Sequence, residues 1–184
     1  DRAAGIAKKA HSEGTTLTTP VVAVDNTGLA IAVWVNTSGG QTTILSRRIE
    51  NSGSVWTPTV TTISSAGAFP VTSLSLAVYG SNPFAAVATW TVKTGEDSAS
   101  QDITGVRRAE FGAATGWSAP LDLSPTRSNA NQPSLAAGTA GDYVIAWRQQ
   151  DAGPYRTSVF RYPAASQVGE VFADTDGGAE APRV

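Results

Sequence analysis

The sequence predicts an all-β chain made of three four-stranded antiparallel units in tandem. Three observations predict it. Trp34, Trp90 and Trp147 each close an apolar run and stand 56 and 57 residues apart, a period that belongs to stacked sheet units rather than to single strands. Short stretches rich in Gly, Asn, Asp and Pro separate the runs, as hairpin turns require. The composition, 41% hydrophobic and 15% charged with 18 Gly and 10 Pro in 184 residues, suits strands and turns and argues against disorder.

The first two strands of each unit surround a turn. They read Pro20-Val-Val-Ala-Val-Asp25-Asn-Thr-Gly28 into Leu29 through Trp34, then Ser75-Leu-Ala-Val78 into Phe84 through Trp90, then Pro133-Ser-Leu-Ala-Ala-Gly138 into Tyr143 through Trp147. The turns are Asp25 to Gly28, Tyr79 to Pro83 and Gly138 to Asp142, which supply residues that tolerate positive φ. Leu29 to Val35 is apolar on both faces, as expected of an inner strand covered by a sheet on each side.

A third strand is expected over Thr42 to Glu50, Gln101 to Glu110 and Arg156 to Tyr162, with Arg48, Arg108 and Arg161 placed 14, 18 and 14 residues after the tryptophans. A fourth is expected from Trp56-Thr-Pro58 to Ile63, from Trp117-Ser-Ala-Pro120 to Leu123, and over Val168 to Phe172, where tryptophan is missing. Pro58 and Pro120 suit an outermost strand, where no ladder donor is needed.

This order (proline, Asp-x-x-Gly, apolar strand ending in tryptophan, arginine strand, tryptophan-x-proline) resembles a repeat family of exported bacterial β-propellers, related in outline to sialidase-like and lectin propellers. The resemblance covers residues 20 to 172 and implies a propeller-type fold with three four-stranded antiparallel blades. The boundaries expected are an N-terminal tail or linker at 1–19, blades at 20–68, 69–128 and 129–178, and the start of a further blade at 179–184. Rings typically need about four to eight blades. Three therefore make a partial propeller, or half of a six-bladed ring completed by a second chain. The closing Glu180-Ala-Pro182-Arg-Val184 matches Pro20-Val-Val and favours a longer parent chain, as does the missing initiator methionine.

Composition narrows the function. A net charge of -2 offers no phosphate-neutralising stripe, so no nucleic acid is expected as partner. No apolar run approaches the roughly 20 residues of a spanning helix, so no membrane insertion is expected. Without cysteine there is no disulfide, thiolate metal site or thiol nucleophile. The single histidine, His11, sits among Lys8, Lys9 and Glu13 and reads as solvated, which leaves no Ser-His-Asp triad. Asp174-Thr-Asp176-Gly-Gly178 is half a calcium loop without its closing carboxylate and reads as an inter-blade loop. The acidic residues Asp25, Glu96, Asp97, Asp142 and Asp151 lie in unrelated loops, so no acid/base pair, metal or cofactor is expected.

The resemblance implies ligand candidates. Fucose-binding propeller lectins use arginine, glutamate and tryptophan between blades, and the matching text is Arg48-Ile-Glu50 with Trp56 and Arg108-Ala-Glu110 with Trp117; the third copy reads Arg161-Tyr-Pro163 and lacks the glutamate. Structural roles compete with this reading. The arginines can pack their stems on a neighbouring sheet, each Arg/Glu pair can be a solvated ion pair, and Trp34, Trp90 and Trp147 belong to the core. The expectation is a non-catalytic extracellular binding or scaffold module with a glycan or protein partner. The alternatives are a fragment of a sialidase-like hydrolase and a purely structural assembly element.

Overall fold

The computed structural model describes residues 16–50, 55–67, 69–81, 84–98, 100–125, 128–138, 141–151, 153–163 and 170–172, and every element among them is a strand. β1 (Thr16–Val24), β2 (Ala30–Ser38) and β3 (Gln41–Glu50) form an antiparallel meander, and β4 (Val55–Trp56) and β5 (Thr61–Gly67) both pair with β3 to complete a first sheet. β6 (Val71–Ser81), β7 (Phe84–Glu96) and β8 (Asp102–Gly112) repeat the meander, with β9 (Gly116–Trp117) and β10 (Leu121–Asp122) both paired to β8. β11 (Asn129–Ala137), β12 (Tyr143–Gln150), β13 (Arg156–Tyr162) and β14 (Glu170–Phe172) make the third sheet. No ladder joins one sheet to another among the described residues, so strand pairing closes no barrel.

The fourth strand departs from the expectation in the first two sheets, where it is split. Thr57 still donates its N–H to Arg48 and Ser118 to Glu110, at 2.8 and 2.7 Å. Pairing then stops at Pro58 and Pro120, which have no N–H to give, and resumes at Thr61 and Leu121. The N-terminal strand also begins four residues before Pro20, inside the segment expected to be a tail. Tyr79, Gly80 and Ser81 belong to β6 rather than to a loop. His11, the 174–178 loop and the expected blade start at 179–184 lie outside the described residues.

The register holds a feature that spacing alone does not reveal. Each first strand bulges near its tryptophan, between Thr18 and Val21, between Thr72 and Ser75, and between Asn131 and Ser134, and β6 shifts register a second time between Val78 and Gly80. At each tryptophan bulge two residues oppose one, and that one is Trp34, Trp90 or Trp147. Pro20 and Pro133 sit inside these bulges rather than at strand starts, where the missing N–H breaks no ladder. Ser73 and Gln132, the first bulge residues of the second and third sheets, both take φ of 53°. The Ser75 hydroxyl donates to the Pro133 carbonyl at 3.3 Å and links two first strands.

Burial follows strand parity. On β7, Ala88, Trp90 and Val92 pack with Val33, Val35, Ile44 and Ile63 of the first sheet, and Phe84 and Ala86 pack with Ile31. From the opposite face, Val87 packs with Tyr143, Ile145, Trp147 and Phe160 of the third sheet. β6 touches both β1 and β11. The turn before β2 is fixed by Asp25, whose Oδ1 accepts the N–H groups of Thr27 and Leu29 at 2.8 and 2.9 Å, while Gly28 supplies the positive φ of 89°.

Gln132 is solvent-exposed, so a substitution there acts through its backbone. Gln132→Val places a β-branched residue at positive φ and is expected to lower unfolding free energy by about 1–2 kcal/mol. Gln132→Gly is expected to be neutral or stabilising. Urea denaturation of the two variants reads the difference, and equal midpoints would contradict the bulge geometry.

Candidate functional site

The break at Pro58 opens a cleft of about 490 Å³ between the first and second sheets. Residues 57–59 form one wall, the hairpin at 113–116 forms another, and Ile31, Ser46, Arg48, Phe111 and Trp117 lie between them. Trp117 is held across the sheets. Its Nε1–H donates to the Ser46 hydroxyl at 2.7 Å, and Ser46 in turn donates to the Thr61 carbonyl at 3.4 Å. Its ring meets Phe111 edge-on at 5.5 Å, and Phe111 meets Phe84 at 6.0 Å. The indole is therefore positioned from both sides and stays half-buried where it lines the cleft.

Two guanidinium groups complete the lining. The Arg48 guanidinium lies over the Phe111 ring at 5.2 Å, a cation–π contact that links the first sheet to the second. Arg47 Nε donates to the Thr57 carbonyl, tying β3 to the chain just before Pro58. The described residues that line the cleft include no Asp or Glu.

The sequence-nominated residues are thus split differently from the expected grouping by unit. Arg48 of the first sheet and Trp117 of the second converge in one cleft. Trp56 pairs with Ile49, is half-buried and is not part of that lining. The Glu50 side chain lies outside the described residues. Neither tryptophan is as exposed as a simple surface platform would be.

Arg108 and Glu110 go to the other interface, between the second and third sheets. Arg108 is only 7% exposed, and its Nη1 pairs with Glu110 and donates to the Tyr143 hydroxyl. That hydroxyl donates to Glu110 Oε1 at 2.5 Å. The guanidinium lies over Phe160 at 4.6 Å, which accounts for a buried Nε with no hydrogen-bond partner. Tyr162 stacks on Tyr143 at 5.0 Å, and Tyr79 closes on it at 5.1 Å. This is a desolvated lock between two sheets. Burial, opposed by the Arg108 charge, pushes the Tyr143 phenol well above its ordinary 10.0, and burial likewise raises Tyr79.

The register also corrects the placing of the arginines. Arg48 pairs with Ile31 and Arg161 with Val144, each three residues before its tryptophan, whereas Arg108 pairs with Thr89, one residue before Trp90. Arg108 therefore shares their face but not their position. The cause is the longer β7–β8 hairpin, which bulges between Lys93 and Gly95.

A second hollow of about 610 Å³ lies between the β7–β8 and β12–β13 hairpins and carries Glu96, Asp97 and Asp151. These carboxylates serve their own loops: Lys93 binds Glu96 at 2.6 Å, the Gln101 N–H binds Asp97 at 2.9 Å, and Gln149 binds Asp151 at 2.9 Å. Among the described residues no three His, Cys, Asp or Glu side chains gather to hold a metal ion, and no helix is long and apolar enough to cross a membrane.

Tyr143→Phe deletes the hydroxyl that bridges Arg108 and Glu110 and is expected to cost about 1–3 kcal/mol near neutral pH. The pH dependence has a definite sign. A phenol whose folded pKa is raised contributes stability that is fully present below the unfolded value of about 10 and is lost as pH climbs toward the folded value. Urea midpoints of the native chain should therefore fall more steeply above pH 10 than those of Tyr143→Phe. Parallel curves for the two would remove the phenol from the account.

No known protein family, curated protein or solved structure matches the chain.

Proposed function

We propose that the chain is an arc of an extracellular β-propeller that binds a saccharide, without turning it over, in the cleft between its first and second sheets. Three meanders of the same strand order, each with a bulge opposite its tryptophan, support the arc reading. So does the use of one parity: the Trp90 face of the second sheet packs on the first sheet, and the Trp147 face of the third packs on the second. Stacking in one direction is how blades assemble, and an arc of three is completed by a second copy or by further chain.

The observation that carries the ligand reading is Trp117, bonded to Ser46 and buttressed by Phe111 beside Arg48 in an open cleft. An aromatic face flanked by fixed donors is the recognition surface that sugar rings require, with C–H groups on the π face and hydroxyls on the donors. About 490 Å³ falls inside the roughly 300–1,000 Å³ range of small-molecule sites. The described lining offers donors and an indole ring with no acidic pair, which favours holding over glycoside cleavage, where two carboxylates must converge.

A glycan array followed by titration of the best hit under tryptophan fluorescence tests this. The expected result is a saturable change in emission that Trp117→Ala weakens at least tenfold and Trp56→Ala leaves within twofold. No bound glycan, or equal effects of the two substitutions, overturns the cleft assignment.

A further inference from the structure

We infer that two copies of this chain close a six-sheet ring, with Val144 of each third sheet seated on the Val24, Ala30, Ile49 and Trp56 row of the other copy's first sheet. This rests on the arc reading and is independent of what the cleft binds. The register shows how each sheet meets the next. In the second sheet Val78, Ala86, Phe111 and Trp117 stand side by side across the strands, and in the third Ala137, Tyr143 and Tyr162 do the same. Both rows cross the second strand four residues before its tryptophan, at Ala86 and at Tyr143. Each row packs with a residue of the preceding sheet that lies three before that sheet's tryptophan. Ile31 packs with the first row and Val87 with the second, and both are at most 1% exposed.

The two ends of the arc carry the halves of this same contact without a neighbour. In the first sheet the equivalent row is Val24, Ala30, Ile49 and Trp56, and none of the four belongs to the apolar clusters that join the described sheets. Val24 is 60% exposed, and Val22 on the same face of β1 is 59% exposed. Their counterparts by register, Val78 with Leu76 and Ala137 with Leu135, pack against the preceding sheet. At the far end, the residue three before Trp147 is Val144, which is only half-buried where Ile31 and Val87 are fully so. Its cross-strand partner Arg161 is exposed, whereas Arg48, the partner of Ile31, is half-buried.

A second copy covers both ends at once. A two-fold axis sets the third sheet of each copy on the first sheet of the other, so one contact forms twice and no apolar end face is left in water. Six sheets fall within the roughly four to eight of closed rings. The contact continues a pattern already made twice within the chain, since Ile31, Val87 and Val144 occupy one position in three successive sheets.

Sedimentation of the native chain over a range of concentrations tests the pairing, and the expected result is the mass of two chains. Val24→Asp and Val144→Asp should each weaken association at least tenfold. Leu121→Asp, which removes a 52% exposed apolar side chain from β10 of the second sheet, should change it less than twofold. Thermal melts within a few degrees of the native chain show that each variant folds. The geometry is read by thiol cross-linking, which the absence of native cysteine makes unambiguous. With a bismaleimide that spans sheets about 10 Å apart, the double variant Val24→Cys/Val144→Cys should give a covalent pair of chains, and neither single variant should.

A monomer at every concentration overturns the inference and leaves the arc reading standing. Association weakened equally by Leu121→Asp overturns it too, because any apolar surface then suffices. A covalent pair formed as readily by Val24→Cys alone means that first sheets meet each other, and a dimeric double variant that does not cross-link places the contact elsewhere; both outcomes overturn it. A cross-link closed within a single chain removes the arc reading itself, because the second sheet then does not separate the two end faces.

Discussion

The second sheet has no solvent face, and most of the architecture depends on that. β7 carries Ala86, Ala88, Trp90 and Val92 on one side and Val87 with the buried Thr89 and Thr91 on the other, all at most 2% exposed. A four-stranded meander with two such faces cannot stand alone in water, because each face exposes apolar area at a cost of about 25 cal/mol per Å². Neighbours on both sides are therefore a condition of folding. Hydroxyls can be accommodated there only when they are satisfied locally, as when Thr89 donates to the Arg107 carbonyl at 2.8 Å.

The bulges answer a packing problem set by the same sheets. A tryptophan is the largest side chain on each second strand, and the first strand must pass beside it on a ladder that spaces neighbours about 4.8 Å apart. Giving that strand two residues opposite one bends it and increases its twist locally. The second bulge residue turns inward in two of the three cases, with Leu74 at 5% exposure and Pro133 buried. Positive φ at Ser73 and Gln132 is the local cost, of order 1–2 kcal/mol each, offset by the buried indole beside it.

Strand identity and order were legible because apolar runs bounded by turn residues recur with the spacing of the tryptophans. β13 runs over Arg156–Tyr162, the bounds expected for the arginine-bearing third strand of the repeat. What was not legible is register. The count of 18 rather than 14 residues from Trp90 reports a longer hairpin but not the two-residue shift in the pairing of Arg108, which keeps its side-chain face yet moves the cation from one aromatic partner to another. Arg48 sits over Phe111 and Arg108 over Phe160, and in the second pair both residues stand two positions nearer their tryptophan. The contact is the same in kind but has slid along the strands. The sliding gives Tyr143 and Glu110 access to Arg108 and makes that interface a closed lock, whereas the cleft at Arg48 stays open. The convergence of Arg48 with Trp117 was hidden for a related reason: the two belong to different sheets, and sequence spacing reports only what one sheet does.

Proline at the outer strand has a second consequence beyond tolerating an edge. In the first sheet, loss of pairing from Pro58 to Val60 removes the stretch that would otherwise lie along β3 at the position of Arg47 and Arg48. The chain instead swings out and becomes a wall of the cleft, with Thr57 tied back to β3 through its N–H to Arg48 and its carbonyl to Arg47. In the second sheet the equivalent break at Pro120 is bridged differently. Leu123 donates its N–H to Val106 at 2.8 Å, Ser124 Oγ accepts from Val106 at 3.0 Å, and Arg107 reaches Asp122 at 2.6 Å. Those bonds pull the strand back onto β8 at once. The same residue type therefore opens one interface and not the other, and the difference lies in the residues next along the chain. Leu-Asp-Leu-Ser after Pro120 can re-pair, whereas Thr-Val after Pro58 has no charged or long polar group to reach back with.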